Sequence, residues 1–246
     1  MTRPRMKTIR SVGSFSCAAL LCACGSSAEP SEKSLDLLDP ATAQYGQTYA
    51  QWAASWIDYI YRYAPPDCLD PVKDQSGEHC ELYQAPESPV FFLVGTYGGV
   101  AKRTACPVRG DKALFFPLVN AWADNAGLPP DQLQTEAVLK ATLDSALAEV
   151  IQSELYLTVD GQDIEKLERG VVQTAPYTVH LPAGPNSYTC LGVDGVEGDF
   201  PGYTSGYFAM LPPLGPGAHT ISFGGAANSA ALGQLTFDAQ YEFSSP

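Results

Sequence analysis

Two unbroken apolar runs, Val90–Val94 and Ala113–Val119, constrain what this chain can fold into more than any other feature. They lie in the stretch PVFFLVGTYGGVAKRTACPVRGDKALFFPLVN (Pro89 to Asn120). Between them come a glycine turn (Gly98-Gly99), a basic step (Lys102-Arg103) and Cys106. Short continuous apolar runs bounded by Gly and Pro read as strands buried on both faces. The unit therefore reads as hairpin-like, with helices and later strands needed to cover both of its sides.

The N-terminus reads as a targeting segment. Arg3, Arg5, Lys7 and Arg10 precede an apolar stretch, Val12–Ala23, which is short for a membrane span. It ends in Leu21-Cys22-Ala23-Cys24-Gly25, which resembles a bacterial lipobox, with Leu three residues before Cys24 and Ala just before it. The resemblance implies a signal peptide over 1–23 and lipidated Cys24 as the first mature residue. An ordinary cleaved signal peptide is the alternative. Residues 24–40 (GSSAEPSEKSLDLLD and neighbours) read as a flexible tether, and 41–246 as one domain.

Loss of residues 1–23 removes four basic side chains and no acidic one, leaving 10 Lys and Arg against 27 Asp and Glu. A chain this acidic repels phosphate backbones, which argues against nucleic acid as a partner. The expected partners are a membrane, through the lipid, and an extracellular glycan or protein. The expected location is the outer membrane or cell surface.

Four cysteines remain in the mature chain besides Cys24: Cys68, Cys80, Cys106 and Cys190. In an exported chain they read as two disulfides with three connectivities open. Cys80–Cys106 with Cys68–Cys190 is the favoured set. The first bridge would pin the entry loop to the basic strand, and the second would tie the 183–206 loop to the end of the first helix. No C-x₂-C pair supports a zinc alternative.

Apolar residues at Tyr49, Trp52, Ala53, Trp56, Ile60 and Tyr63 predict an amphipathic helix near 48–63, stopped by Pro65-Pro66. Trp52 and Trp56 form either a sugar platform or a buried stripe, and the regular spacing favours burial. A second helix is predicted near 130–152, with Leu139, Leu143, Leu147 and Val150 on one face. Beyond it, alternation marks strands at Glu154–Asp160, Val171–Leu181, Tyr207–Leu211, His219–Phe223 and Leu235–Phe243, separated by Pro and Gly breaks. The fold class is mainly β (α+β): a single antiparallel β-sandwich with two packed helices.

The helix YGQTYAQWAASW, the block FFLVGTYGGVAKRTACPVRGDKALFFPLVN and the segment GYFAMLPPLGPGAHTISFGG resemble a group of uncharacterised exported bacterial proteins. The likeness spans most of Tyr45–Gly225. It implies a single exported domain and carries no catalytic residue or activity.

Motifs for chemistry are sparse. His79, His180 and His219 form no H-E-x-x-H pair, and Gly202-Tyr203-Thr204-Ser205-Gly206 has the wrong spacing for a nucleophile elbow. Gly95, Gly98 and Gly99 fit neither a P-loop nor a dinucleotide fingerprint. Arg109-Gly110-Asp111 reads as a turn. Two groups remain as candidate ligand contacts. Arg103, Lys112 and Asn120, near Lys102 and Asp124, suit an anion or carboxylate pocket. Tyr188, Asp194, Glu197, Asp199 and Tyr203, in and beside the 183–206 loop, mix acids with rings as sugar sites do. The D-x-x-E-x-D spacing departs from an EF-hand, so Ca²⁺ is the lesser reading and no metal site is assigned. The pattern favours a non-catalytic module binding a glycan, peptide or protein. The alternative is a polysaccharide-active hydrolase or lyase using Asp194, Glu197, Asp199, Arg103 or Tyr203, with its catalytic residues unassigned.

Overall fold

The computed structural model describes residues 35–230 and 232–245. The signal peptide, Cys24 and the first part of the tether lie outside the described residues.

Two sheets stack face to face. The first, in order β1-β3-β7-β6, contains Val90–Phe92, Ala113–Asp124, Gly198–Leu211 and Val171–Leu181. The second, in order β2-β9-β8-β4-β5, contains Gly99–Arg103, Gly233–Ser245, Gly217–Ser229, Tyr156–Val159 and Gln162–Asp163. Helix α1 (Tyr49–Ile60) covers the outer face of the first sheet, which is therefore the middle layer. Val90, Phe92, Val94, Ala113 and Phe115 pack toward α1, while Phe91, Leu93, Leu114, Phe116 and Leu118 pack toward the second sheet. That is why both apolar runs are continuous: neither face of the strands meets water. Each such Phe or Leu contributes about 1.5–3 kcal/mol through burial.

The sandwich is mixed rather than antiparallel, and the two apolar runs do not form a hairpin. β1 pairs parallel with β3 (Val90↔Ala113, Phe92↔Phe115), and β2 pairs parallel with β9 (Gly99↔Phe237, Arg103↔Tyr241). A parallel pair needs a crossover between its strands. Here the crossover is β2 itself, which leaves the first sheet after Val94 and joins the second before the chain returns at Ala113. All other strand pairs are antiparallel.

α1 opens on a capping box. Thr48 Oγ1 accepts from the Gln51 N–H at 3.3 Å, and the Thr48 N–H donates to Gln51 Oε1 at 2.8 Å. Trp52 and Trp56 are buried, and the Trp56 indole N–H donates to the Leu93 carbonyl at 2.8 Å. They hold the helix to the sheet and do not form a platform.

α2 spans Glu136–Ala148, shorter at both ends than the apolar spacing suggests. The Asn125 side chain bonds both the N–H and the carbonyl of Gln134 at 2.9 Å, which keeps the preceding segment out of the helix until Thr135 caps it. At the other end Ile151 donates to the Ala226 carbonyl at 2.9 Å, drawing the chain toward β8. A third short helix, α3 (Ser187–Cys190), follows β6, and the expected 183–206 loop ends at Gly198, where β7 begins and carries Asp199 and Tyr203.

The folded domain begins before Ala41. Leu35 and Leu37 pack against the core between the sheets and Leu38 against the core under α1. The Leu38 N–H donates to the Met210 carbonyl at 2.9 Å, and the Tyr49 hydroxyl donates to the Leu38 carbonyl at 2.8 Å. Three Leu in four residues are too apolar to remain a tether.

Cys68 is bonded to Cys190 and Cys80 to Cys106. Two disulfides mark a protein of an oxidising, non-cytoplasmic compartment. Among the described residues no helix is long and apolar enough to cross a membrane.

Candidate ligand-binding site

The expected basic pocket does not form. Arg103 is 0% exposed. Its guanidinium donates to four carbonyls: Asp74 at 2.8 Å, Val94 at 3.1 Å, Val72 at 3.2 Å and Gly95 at 3.0 Å. Its carbon also lies 5.3 Å from the centroid of the Tyr241 ring. A group so enclosed staples loop to sheet and offers nothing to a ligand. Lys112 donates to the Pro86 carbonyl at 2.7 Å, and Lys102 pairs with Glu242 at 2.7 Å, so the three cations do not converge.

The acidic loop disperses as well. Asp194 and Glu197 are exposed, and Asp199 pairs with His180 at 2.7 Å on the surface. Tyr203 sits beside α2, its ring 4.9 Å from Lys140 Nζ. Among the described residues no three His, Cys, Asp or Glu side chains gather as a metal site would require.

Tyr188 and Asn120 do line cavities, and these adjoin. Tyr188 closes a cavity of about 180 Å³ with Tyr61, Tyr63, Tyr97 and Trp122, beside Asp70 and Lys73. A neighbouring cavity of about 120 Å³ shares Tyr97 and Trp122 and reaches Asn120, whose buried Nδ2 has no hydrogen-bond partner among the described residues.

The aromatic cavity is assembled from distant segments. Tyr61 and Tyr63 follow the end of α1, with Asp70 and Lys73 just beyond. Tyr97 stands on the turn between β1 and β2, Trp122 on β3, and Tyr188 on α3. The Cys68–Cys190 bond ties the loop after α1 to α3 and so links two of these walls.

Hydrogen bonds fix the rings. The Trp122 indole N–H donates to the Tyr61 hydroxyl at 3.0 Å, which donates to Asp124 Oδ2 at 3.1 Å. Tyr177 donates to the same oxygen at 2.8 Å, and the Ala126 N–H donates to Oδ1 at 3.0 Å. Tyr188 donates to the Ala126 carbonyl at 3.1 Å, and its ring lies parallel to that of Tyr61 with centroids 6.4 Å apart. Tyr97 is 54% exposed, but its hydroxyl is turned inward to Asp70 Oδ2 at 3.2 Å. Asp70 Oδ1 accepts from the Val72 N–H at 2.9 Å.

Burial pushes all these phenols up. Tyr63 and Tyr188 reach about 12, the latter also because of Asp124. Tyr61 and Tyr177 rise further through burial and then the Asp124 charge, and Tyr97 through burial and then Asp70. At neutral pH every ring is an uncharged phenol with a π face and a donating hydroxyl.

A larger cavity, about 540 Å³, opens beside α1 next to Asp58, Arg62 and His180. Its charged groups are already paired, Arg62 with Asp58 and His180 with Asp199. The aromatic cavity, with Tyr61, Tyr97, Trp122 and Tyr188 each fixed by a hydrogen bond, is the better candidate. Comparison with protein-family models, curated proteins and solved structures gave no match.

Proposed function

We propose that this chain is an exported, non-catalytic binding module of the cell envelope, lipid-anchored through Cys24 and related to the exported bacterial group its motifs resemble. Its ligand, a small molecule or the terminal group of a glycan, peptide or protein, enters the cavity of Tyr61, Tyr63, Tyr97, Trp122 and Tyr188. One observation carries this reading: the rings of the cavity are held from within the protein by the Trp122–Tyr61–Asp124–Tyr177 hydrogen bonds. Preorganised aromatic surface binds without the entropy cost of ordering side chains.

The polymer-cleaving alternative gains no support from its own residues. Arg103 is enclosed, Asp194 and Glu197 are exposed, and Asp199 is paired with His180. Glycan and peptide arrays with the purified full chain, run beside a polysaccharide-degradation screen, test the proposal. Saturable binding without turnover, lost in Trp122→Ala and Tyr97→Ala, is the expected result. Turnover of a polymer by the native chain would replace the binding reading with the catalytic one.

A further inference from the structure

We infer that the aromatic cavity takes a small organic cation, an alkylammonium or quaternary ammonium group, in preference to a neutral sugar. This rests on the cavity being the ligand site. The first argument is what the cavity has left to offer. Sugar recognition needs free donors and acceptors around the ring faces, because hydroxyl groups must be matched as water is removed. Here the polar tips of Tyr61, Trp122, Tyr188 and Tyr97 are each engaged inside the protein. What remains is mainly ring surface, with the Tyr63 hydroxyl the unpaired group of the wall among the described residues, and aromatic faces attract cations through their negative quadrupole.

The second argument is charge. The Asp70 side chain, only 4% exposed, stands at the cavity with Tyr97 donating to one of its oxygens. A second carboxylate, Asp124, is bonded to Tyr61. Both place negative charge beside the rings, in a chain whose formal net charge is −13. At about 180 Å³ the cavity is smaller than the ~300–1,000 Å³ of a drug-sized pocket. It suits a single head group and not a chain of sugars.

The third argument is Lys73. Its ammonium lies 3.7 Å from Asp70 Oδ2 on a side chain 61% exposed, and it lines the same cavity. The protein already places one of its own cations there. An exposed Lys is easily displaced, since its ammonium is screened by solvent and its long side chain gains freedom on release. Lys73 is thus an internal competitor, and a ligand ammonium would take over its attraction to Asp70.

The test is a titration of the full chain, in a sugar-free non-ionic detergent, with choline and tetramethylammonium against methyl glucoside and N-acetylglucosamine. Trp122 fluorescence and calorimetry are the readouts. The ammonium probes should bind saturably. Tyr97→Leu should weaken them by about fivefold or more, within the range of one lost cation–π contact. Lys73→Met should strengthen them by about two- to fivefold, as expected for loss of a partly exposed competing charge. Each variant removes one partner of Asp70, so circular dichroism and thermal melts establish that both still fold. Sugar binding that depends on Tyr97, with no response to ammonium probes, would overturn the cation and leave the cavity as the site. No response to either class, or binding indifferent to Tyr97→Leu, would overturn both.

Discussion

Arg103 and Tyr241 donate to one shared acceptor, the carbonyl of Val94, at 3.1 Å and 2.9 Å. The two residues are also register partners across the parallel β2–β9 pair. The site where a strand leaves one sheet for the other is therefore closed by a cation that, among the described residues, has no carboxylate partner. Removing the guanidinium would strand the carbonyls of Asp74, Val72 and Gly95, while Val94 keeps Tyr241; each stranded group costs about 1–3 kcal/mol when buried and unpaired. Arg103→Met should destabilise the domain by at least about 3 kcal/mol. Arg103→Lys should fare little better, because an ammonium cannot span the same fork. Urea denaturation measures both, and a loss under about 1 kcal/mol would show that the carbonyls find other partners.

The disulfides should differ in weight. Cys68–Cys190 closes 122 residues and Cys80–Cys106 closes 26. The chain-entropy account gives about 5 kcal/mol for a loop of the first length and about 3.5 for one of the second. Replacing Cys68 and Cys190 by Ser should lower the denaturation midpoint more than replacing Cys80 and Cys106. It should also weaken ligand binding, since it frees the wall carrying Tyr188. Equal midpoint losses would point to strain or unfolded-state structure in place of loop closure.

Tryptophan fluorescence should separate two populations. Trp52 and Trp56 are buried beneath α1, whereas Trp122 is only partly buried at the cavity. Acrylamide should quench one component alone, and Trp122→Phe should abolish it. Quenching that survives that substitution would mean that α1 is not seated as described.

Alkaline pH should unfold the domain. Burial raises the phenols of Tyr49, Tyr59, Tyr61, Tyr97, Tyr177 and Tyr241 above their ordinary value. In the unfolded chain they ionise near pH ~10. Below that both states hold the proton and stability is unaffected. Above it the unfolded state sheds protons that the fold retains, so stability falls as pH rises. Phenolate absorbance and loss of circular dichroism should appear together by about pH 12. Smooth ionisation of these phenols with the fold intact would contradict their burial.

A chain truncated to begin at Ala41 should be less stable than one beginning at Leu35. It loses the Leu38–Met210 hydrogen bond and the Leu packing beside it. Thermal melts of the two should differ by several degrees, as expected for a loss of about 1–2 kcal/mol. Coincident melts would return these residues to the tether.

The sequence made the layers legible and left the pairing hidden. Val90–Val94 and Ala113–Val119 announce double burial through composition alone. Whether such runs pair parallel or antiparallel depends on where β2 goes, and nothing local to Gly99–Arg103 shows that it joins β9. Arg103 looked free because sequence cannot display the four carbonyls that enclose it. Tyr188 and Asn120 were legible as ring and amide beside a loop. Tyr61, Tyr63, Tyr97 and Trp122 were not, since they come from separate segments and share no spacing. Their one visible trace was Cys68–Cys190, a cross-link between the segments that carry Tyr63 and Tyr188.

The parallel seam of β2 on β9 also sets an order of events. β2 is the edge of its sheet, and among the described residues its strand partner is β9, the last strand of the sandwich. Most of the domain must therefore be present before β2 has anything to pair with, and contacts so remote in sequence form slowly. A polypeptide emerging from its N-terminal end cannot complete this sandwich early. Until β9 is present, β2 and the second sheet stay open, so the seam between the sheets is the last part of the sandwich to close.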